Sequence, residues 1–97
     1  MQTDVLQALL SGGFIPVIAP IGVDEIGTRY NVNADSAAGA IAGALNAEKL
    51  ILLTDVPGIM QNGAVLSEVT AAQIHDLIAD GTISGGMVQK VEACLEA

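Results

Sequence analysis

Asn31, Asn33 and Asp35 place two amides and a carboxylate at alternate positions of Tyr30-Asn31-Val32-Asn33-Ala34-Asp35-Ser36, where an extended run gives way to a helical one. Such a junction suits an anionic ligand. The first turn of a helix offers unpaired N–H groups and the positive end of the dipole, so a phosphate or carboxylate can be held there. Asn33 or Asp35 can equally cap that turn, and these residue types do so routinely, so a well-capped helix meets the same spacing.

Two further segments carry a double meaning. Thr54-Asp55-Val56-Pro57-Gly58 leaves a buried strand through a turn, at the strand end where open α/β sheets bind ligands, yet Asp, Pro and Gly also favour turns for backbone reasons alone. Ser84-Gly85-Gly86 precedes a helix and leaves backbone N–H groups free for phosphate, with Lys90 about one turn inside to meet negative charge. This is not the spacing of a Walker loop, and an ordinary helix start followed by a solvated lysine fits the same residues. His75 has no metal-ligand residue type four positions on and reads as a surface residue. The single cysteine, Cys94, excludes an intrachain disulfide and falls on a helical stripe with Val91 and Leu95, so it reads as a small core residue. Asp24, Glu25, Glu68, Glu92 and Glu96 read as solvated acids.

The elements that must position these residues follow from periodicity. Val5, Leu6, Leu9 and Leu10 predict a short amphipathic helix over 4–11, stopped by Gly12-Gly13. Phe14 to Ala19 is a continuous apolar run, the pattern of a strand covered on both faces, with Pro16 marking an edge or bulge. Pro20 to Gly27 reads as a turn leading to a short strand at 28–32. Ala34, Ala37, Ala38, Ile41, Ala42 and Leu45 predict a helix over about 34–46, in which Gly39 and Gly43 each cost roughly 1 kcal/mol relative to Ala. Close approach to a sheet or another helix is the expected compensation. Lys49 to Thr54 predicts a second buried strand, reached by a right-handed crossover from 28–32 to a parallel neighbour. Asn62-Gly63 predicts a type I′ hairpin, Thr70-Ala-Ala-Gln73 a capping box heading a helix over 71–80, and the last helix runs over about 86–96.

A chain of 97 residues fits one domain, 1–97, with a core that should bury about 60 to 70% of the unfolded surface. It is 52% hydrophobic but only 2% aromatic, so Ala, Leu, Ile and Val must make that core. No apolar run approaches the roughly 18 residues of a membrane span, and Met1-Gln2-Thr3-Asp4 lacks the basic start of a signal peptide, so a cytoplasmic setting is expected. The formal charge of −8, with Arg29, Lys49 and Lys90 as the only cations besides the amino terminus, argues against a nucleic-acid surface. It also opposes polyphosphates, which would depend on backbone N–H groups, a local lysine and a divalent cation.

Four stretches stand in one order: Gly13-Phe-Ile-Pro-Val-Ile-Ala-Pro-Ile-Gly22, Tyr30-Asn-Val-Asn-Ala-Asp35, Leu50-Ile-Leu-Leu-Thr-Asp-Val-Pro-Gly-Ile59 and Ser84-Gly-Gly-Met-Val-Gln-Lys-Val91. Together they resemble the acetylglutamate kinases, a branch of the amino acid kinase family. The resemblance covers nearly the whole chain. It implies an α/β three-layer sandwich with a mainly parallel sheet, helices on both faces and short β-hairpins, of which 97 residues are about a third. It also implies phosphorylation of the side-chain carboxylate of N-acetyl-L-glutamate by MgATP, a step of arginine biosynthesis.

Under that resemblance Asp35 and Lys90 are catalytic, Lys90 stabilising the transferred phosphate and Asp35 organising active-site lysines. Asn31 and Asn33 bind acetylglutamate. Thr54, Asp55, Val56, Gly58, Ile59 and Met60, with Thr82, Ile83, Ser84, Gly85 and Gly86, line the nucleotide site, and no residue is a dedicated metal ligand. The family's N-terminal lysine, glycine-rich loop and substrate arginine have no counterpart here, so the isolated chain is expected to show little or no turnover. The other reading is a non-catalytic, excised or engineered α/β module with at most weak nucleotide binding. In either case unpaired strand edges should favour a homo-oligomer.

Overall fold

Thr70 begins a helix as its sequence requires. Its hydroxyl accepts the N–H of Gln73 at 3.2 Å, and the Gln73 side-chain oxygen accepts the N–H of Thr70 at 2.7 Å, closing the capping box. In the computed structural model, which describes all 97 residues, the chain runs α1 (Asp4–Ser11), β1 (Ile21–Val23), β2 (Arg29–Asn31), α2 (Ala34–Ala44), β3 (Met60–Gln61), β4 (Ala64–Val65), α3 (Ala71–Ala79) and α4 (Gly86–Glu96). All four predicted helices are present. None is long and apolar enough to cross a membrane.

The core gathers where short loops bring neighbours together. Ile74 and Leu77 of α3 pack with Ile83 and Val91, and Ile59, Leu66, Val69, Met87 and Val88 close over them. Asn62 and Gly63 form the two-residue loop between β3 and β4, with φ of 51° and 78°, the positive pair that a type I′ turn needs. His75 is exposed, as expected. Cys94 is exposed too, contrary to expectation, because α4 turns Ala93 inward instead.

That inward face explains the glycines of α2. A Cβ on Gly39 would lie 2.6 Å from the carbonyl oxygen of Ala93, and one on Gly43 would lie 3.1 Å from that of Glu96. The compensation for glycine in this helix is therefore close approach of two backbones. Gly39 meets Ala93 and Gly43 meets Glu96, so the paired positions rise together and the helices run side by side in the same direction.

The predicted parallel sheet is absent from this chain. Its strands form two antiparallel pairs, β1 with β2 and β3 with β4. Residues 14–19 and 49–54 carry no ladder, and the crossover from 28–32 to a parallel strand at 49–54 does not form. β2 instead folds back on β1, which lies inside the segment read as a turn, with Ile21 opposite Asn31 and Val23 opposite Arg29. The physical reason is that an all-apolar strand needs covering layers and a neighbouring strand, and the other residues here supply neither. Val17 is 97% exposed, Ile15 90%, Leu53 89% and Ile51 72%; Pro16, read as an edge or bulge residue, belongs to no strand at all.

The same openness appears in the whole chain. Its accessible surface is 7195 Å², against about 5,200 Å² for a compact monomer of 9.8 kDa. Its radius of gyration is 15.7 Å, against about 12.5 Å expected for a compact chain of this length. About half of the unfolded surface is buried, less than the 60 to 70% expected. α1 buries none of its residues and packs against no other helix or strand.

Candidate functional site

Asn33 is the N-cap of α2, in extended conformation, and its Oδ1 accepts the N–H of Ser36 at 3.0 Å. Asp35 follows in the first turn, where its charge complements the positive end of the helix. Because α4 runs parallel beside α2, Lys90 reaches Asp35: its Nζ lies 3.1 Å from both carboxylate oxygens. The two side chains are only 24% and 22% exposed, which reduces solvent screening of the pair. Gln89, one residue before Lys90, accepts a hydrogen bond from Nδ2 of Asn33.

Parallel packing also brings two helix N-termini to one end of the molecule. Lys90 stands level with Asp35 although it is the fifth residue of α4 and Asp35 the second of α2, so α4 projects roughly one turn, or about 5 Å, beyond α2. Gly85 caps α4 with φ of 60° and supplies no side-chain bond, so the first amides of α4 are open to a ligand.

A cleft of about 160 Å³ adjoins that helix start, lined by Val56, Gly58, Ile59, Met60, Thr82, Ile83, Ser84 and Met87. It joins the bends after residue 54 to the turn between α3 and α4. Asp80 shapes that turn by accepting the Thr82 N–H at 2.9 Å, and hydrogen bonding by Thr82, side chain first and N–H second, holds the carboxyl below its ordinary value. A larger apolar recess of about 350 Å³ lies between α2 and residues 16–20, but no ionisable side chain lines it.

The profile of the amino acid kinase family matches residues 1–97, the full length of the chain. The chain belongs to this family. Its relatives include the acetylglutamate kinases of Gluconobacter oxydans (strain 621H), 61% identical over 96% of this chain and 32% of that protein, and of Geobacillus stearothermophilus, 50% identical over 100% and 38%. The chain thus spans about a third of the length of these curated relatives. The crystal structure of smu.665 from Streptococcus mutans UA159 superposes with a TM-score of 0.92 at 38% identity, over 99% of this chain and 39% of that one. The backbone path of residues 14–19 and 49–54 therefore falls within a fold known from a longer chain.

Within this amino acid kinase chain the expected site residues fall into two groups joined by α4. Asp35 and Lys90 meet in an ion pair, with Asn33 bonded to the adjacent Gln89; Val56, Gly58, Ile59, Met60, Thr82, Ile83 and Ser84 line the cleft. Met87 in the cleft and Lys90 in the ion pair are three residues apart on one helix, hence on one face. Gly85 and Gly86 form the helix start beside the cleft. Asn31 ends β2, exposed and without a side-chain bond, whereas Thr54 and Asp55 are exposed, bonded only to each other at 3.4 Å, and outside the cleft lining.

Sequence reasoning missed Met87, Gln89 and Asp80. Met87 carried a signal, as it sits inside the Gly-Gly-Met-x-x-Lys motif. Gln89 carried none, because its partner is 56 residues away. Asp24, expected from sequence to be a solvated acid, accepts the N–H groups of Thr28 and Ile26 at 2.9 and 3.1 Å and the Tyr30 hydroxyl at 2.9 Å. The Thr28 N–H is the chief cause of a pKa below the ordinary value, opposed by partial burial and reinforced by Tyr30 and Ile26.

The donor set suits a nucleotide in part. The cleft is smaller than the roughly 300 Å³ at which whole-ligand pockets begin, so it fits a base-sized apolar group but not a complete nucleotide. No group of three or more His, Cys, Asp or Glu side chains converges in the chain, so Mg²⁺ would depend mainly on phosphate oxygens and water.

Proposed function

We propose that this chain provides the nucleotide and phosphoryl-transfer side of an acetylglutamate kinase. The observation that carries the reading is the Asp35–Lys90 pair, held at the end of the molecule where two helix N-termini and the cleft converge. The cleft takes the adenine, with Val56, Ile59, Met60 and Met87 against its faces and the Thr82 and Ser84 hydroxyls beside them. MgATP, when bound, supplies the phosphoryl group that passes to the side-chain carboxylate of N-acetyl-L-glutamate. Lys90 contributes positive charge near that group, Asp35 fixes the direction of the ammonium, and Asn31 and Asn33 orient the substrate carboxylates. Catalysis then rests on positioning and charge neutralisation.

One lysine is a small share of what such a transfer needs. Removing a single charge-stabilising donor commonly slows an enzyme on the order of 100-fold or more, so these 97 residues alone should give no acetylglutamate-dependent turnover above background. Binding should survive weakly, in the roughly millimolar range or about 4 kcal/mol, because the −8 charge opposes polyphosphate. A cytoplasmic setting accords with this reading.

Titration with MgATP while amide resonances are followed tests the reading. Shifts at Gly58, Gly85 and Gly86 in the millimolar range, reduced in Lys90→Ala, are expected. A folded chain with no shift at several millimolar would overturn it. Turnover that Lys90→Ala abolishes would overturn the expectation of inactivity.

A further inference from the structure

Asn33 is less free than a substrate-binding residue at a helix cap would be. Its side-chain amide has two N–H donors and an oxygen with two lone pairs. The oxygen accepts the Ser36 N–H within α2, and one N–H goes to Oε1 of Gln89 on α4. These two bonds point the oxygen at its own helix and the nitrogen at the neighbouring one. An amide rotated by half a turn would set donor against donor at Ser36, so that bond fixes which way the Asn33 amide faces, and the Gln89 oxygen then holds the N–H that faces α4.

Gln89 is also placed to do this without disturbing the packing. It is exposed and lies on α4 immediately before Lys90, while Asn33 lies two residues before Asp35. Consecutive residues of α4 therefore grip the first turn of α2 at two points, one neutral and one ionic. The close backbone approach at Gly39 and Ala93 lies further along both helices and does not involve Gln89.

We propose that Gln89 is a positioning residue: by accepting one N–H of Asn33 it locks the Asn33 amide and leaves the other N–H, in a fixed orientation, for a carboxylate or acyl oxygen. The functional meaning of the free N–H rests on the kinase reading above; the lock itself does not. A side-chain donor held this way loses little freedom when the ligand arrives, which is the usual benefit of a preorganised contact.

The test needs an acceptor at position 89 and nothing else. Gln89→Glu keeps an oxygen of the same reach, and Gln89→Met keeps the length but removes the acceptor. In the ¹⁵N-labelled, ligand-free chain, the Asn33 side-chain amide should have an order parameter near that of rigid backbone, about 0.85, and Gln89→Glu should retain it. Gln89→Met should lower it below about 0.6, with the Ser36 backbone amide and the Gly39 and Ala93 resonances unchanged. Equal order in the wild type and Gln89→Met would overturn the proposal, as would loss of order in Gln89→Glu. Loss of the Gly39 and Ala93 shifts in Gln89→Met would also overturn it, by showing that Gln89 packs the helices. No nucleotide enters this measurement, so its failure counts against Gln89 alone, whereas failure of the MgATP titration counts against the kinase reading.

Discussion

Residues 59–97 and the extended stretches 14–19 and 49–54 are both rich in Ile, Val and Leu, yet one closes into a core and the others remain open. In the closed part the partners of the core lie within one stretch of chain: a two-residue loop joins β3 to β4, six residues separate α3 from α4, and the Ile83 N–H returns to the carbonyl of Leu77 at 3.0 Å. In the open part Val17 and Leu53 have neither a ladder nor a covering layer. Apolar content shows that a segment favours burial, but the separation of its partners decides whether this stretch of chain can provide it. α2 stands between the two regimes, packed against α4 along Gly39 and Gly43 and open to the apolar recess along Ala34, Ala38, Ile41 and Leu45.

Substitutions matched for chemistry should separate the two parts. Leu77→Ala, in the core, should destabilise the chain by about 2–5 kcal/mol, a large share of the stability of so small a core. At a concentration low enough to keep the chain monomeric, Val17→Ala, at a fully exposed position, should change stability by less than about 0.5 kcal/mol. Urea denaturation of both variants measures the contrast. A loss at Val17 as large as that at Leu77 would mean the open strand is covered in solution.

The next effect concerns the helix pair. Gly39→Ala gains roughly 1 kcal/mol of helix propensity but drives a methyl into the Ala93 backbone, so a net loss of about 1–3 kcal/mol is expected. Gly86→Ala has open space around it and should be neutral or slightly stabilising. Thermal melts of the two variants should therefore move in different directions; a stabilised Gly39→Ala would show that α2 and α4 are not in contact.

Self-association sharpens the contrast from the open side. Unpaired apolar strands invite pairing with a second copy, so sedimentation should show a dimer or larger species. Val17→Lys with Leu53→Lys should shift it toward monomer, because each places a charge on an edge that must be desolvated. A wild-type monomer across a wide concentration range contradicts this expectation.

Much of the molecule was legible where structure is local. The 3.6-residue periodicity of Ala34 to Leu45, the Thr70–Gln73 box and the Asn62-Gly63 turn each specify an element through contacts within a few residues. The glycine spacing at 39 and 43 announced a close approach, though only the structure names Ala93 and Glu96 as the partners. Residues 14–19 and 49–54 were legible as apolar extended segments but not as unpaired ones, since a hydropathy pattern carries no information on whether a neighbour exists. At the site, the motifs named Asp35, Lys90 and most residues of the cleft but not their contacts, whereas Gln89 and Asp24 act through side-chain bonds that leave no periodic trace.

The smallest effect is an acid response that should differ between the two parts. Asp24 and Asp80 both have folded pKa values below the ordinary 3.8, so each contributes stability that is fully present above that value and lost as pH falls through the lower folded value. Protonating Asp24 weakens the bonds from Thr28, Tyr30 and Ile26, and a three-residue ladder with exposed side chains, flanked by the backbone bonds of Asp24 to Thr28 and of Val32 to Pro20, remains to hold β1 against β2. Protonating Asp80 weakens its bond from Thr82, but Ile83 next to it is buried in the core and keeps its own bond to Leu77. As pH falls below about 4 the amide of Thr28 should therefore move toward its unfolded shift and exchange faster, while that of Ile83, bonded to the Leu77 carbonyl, stays protected. Asp24→Asn retains an oxygen for the two amides without the titrating charge, so its hairpin should be weaker at neutral pH and insensitive to acid over that range. If the Thr28 and Ile83 amides lose protection together, acid unfolds the chain as one unit and the open hairpin is not independent of the core.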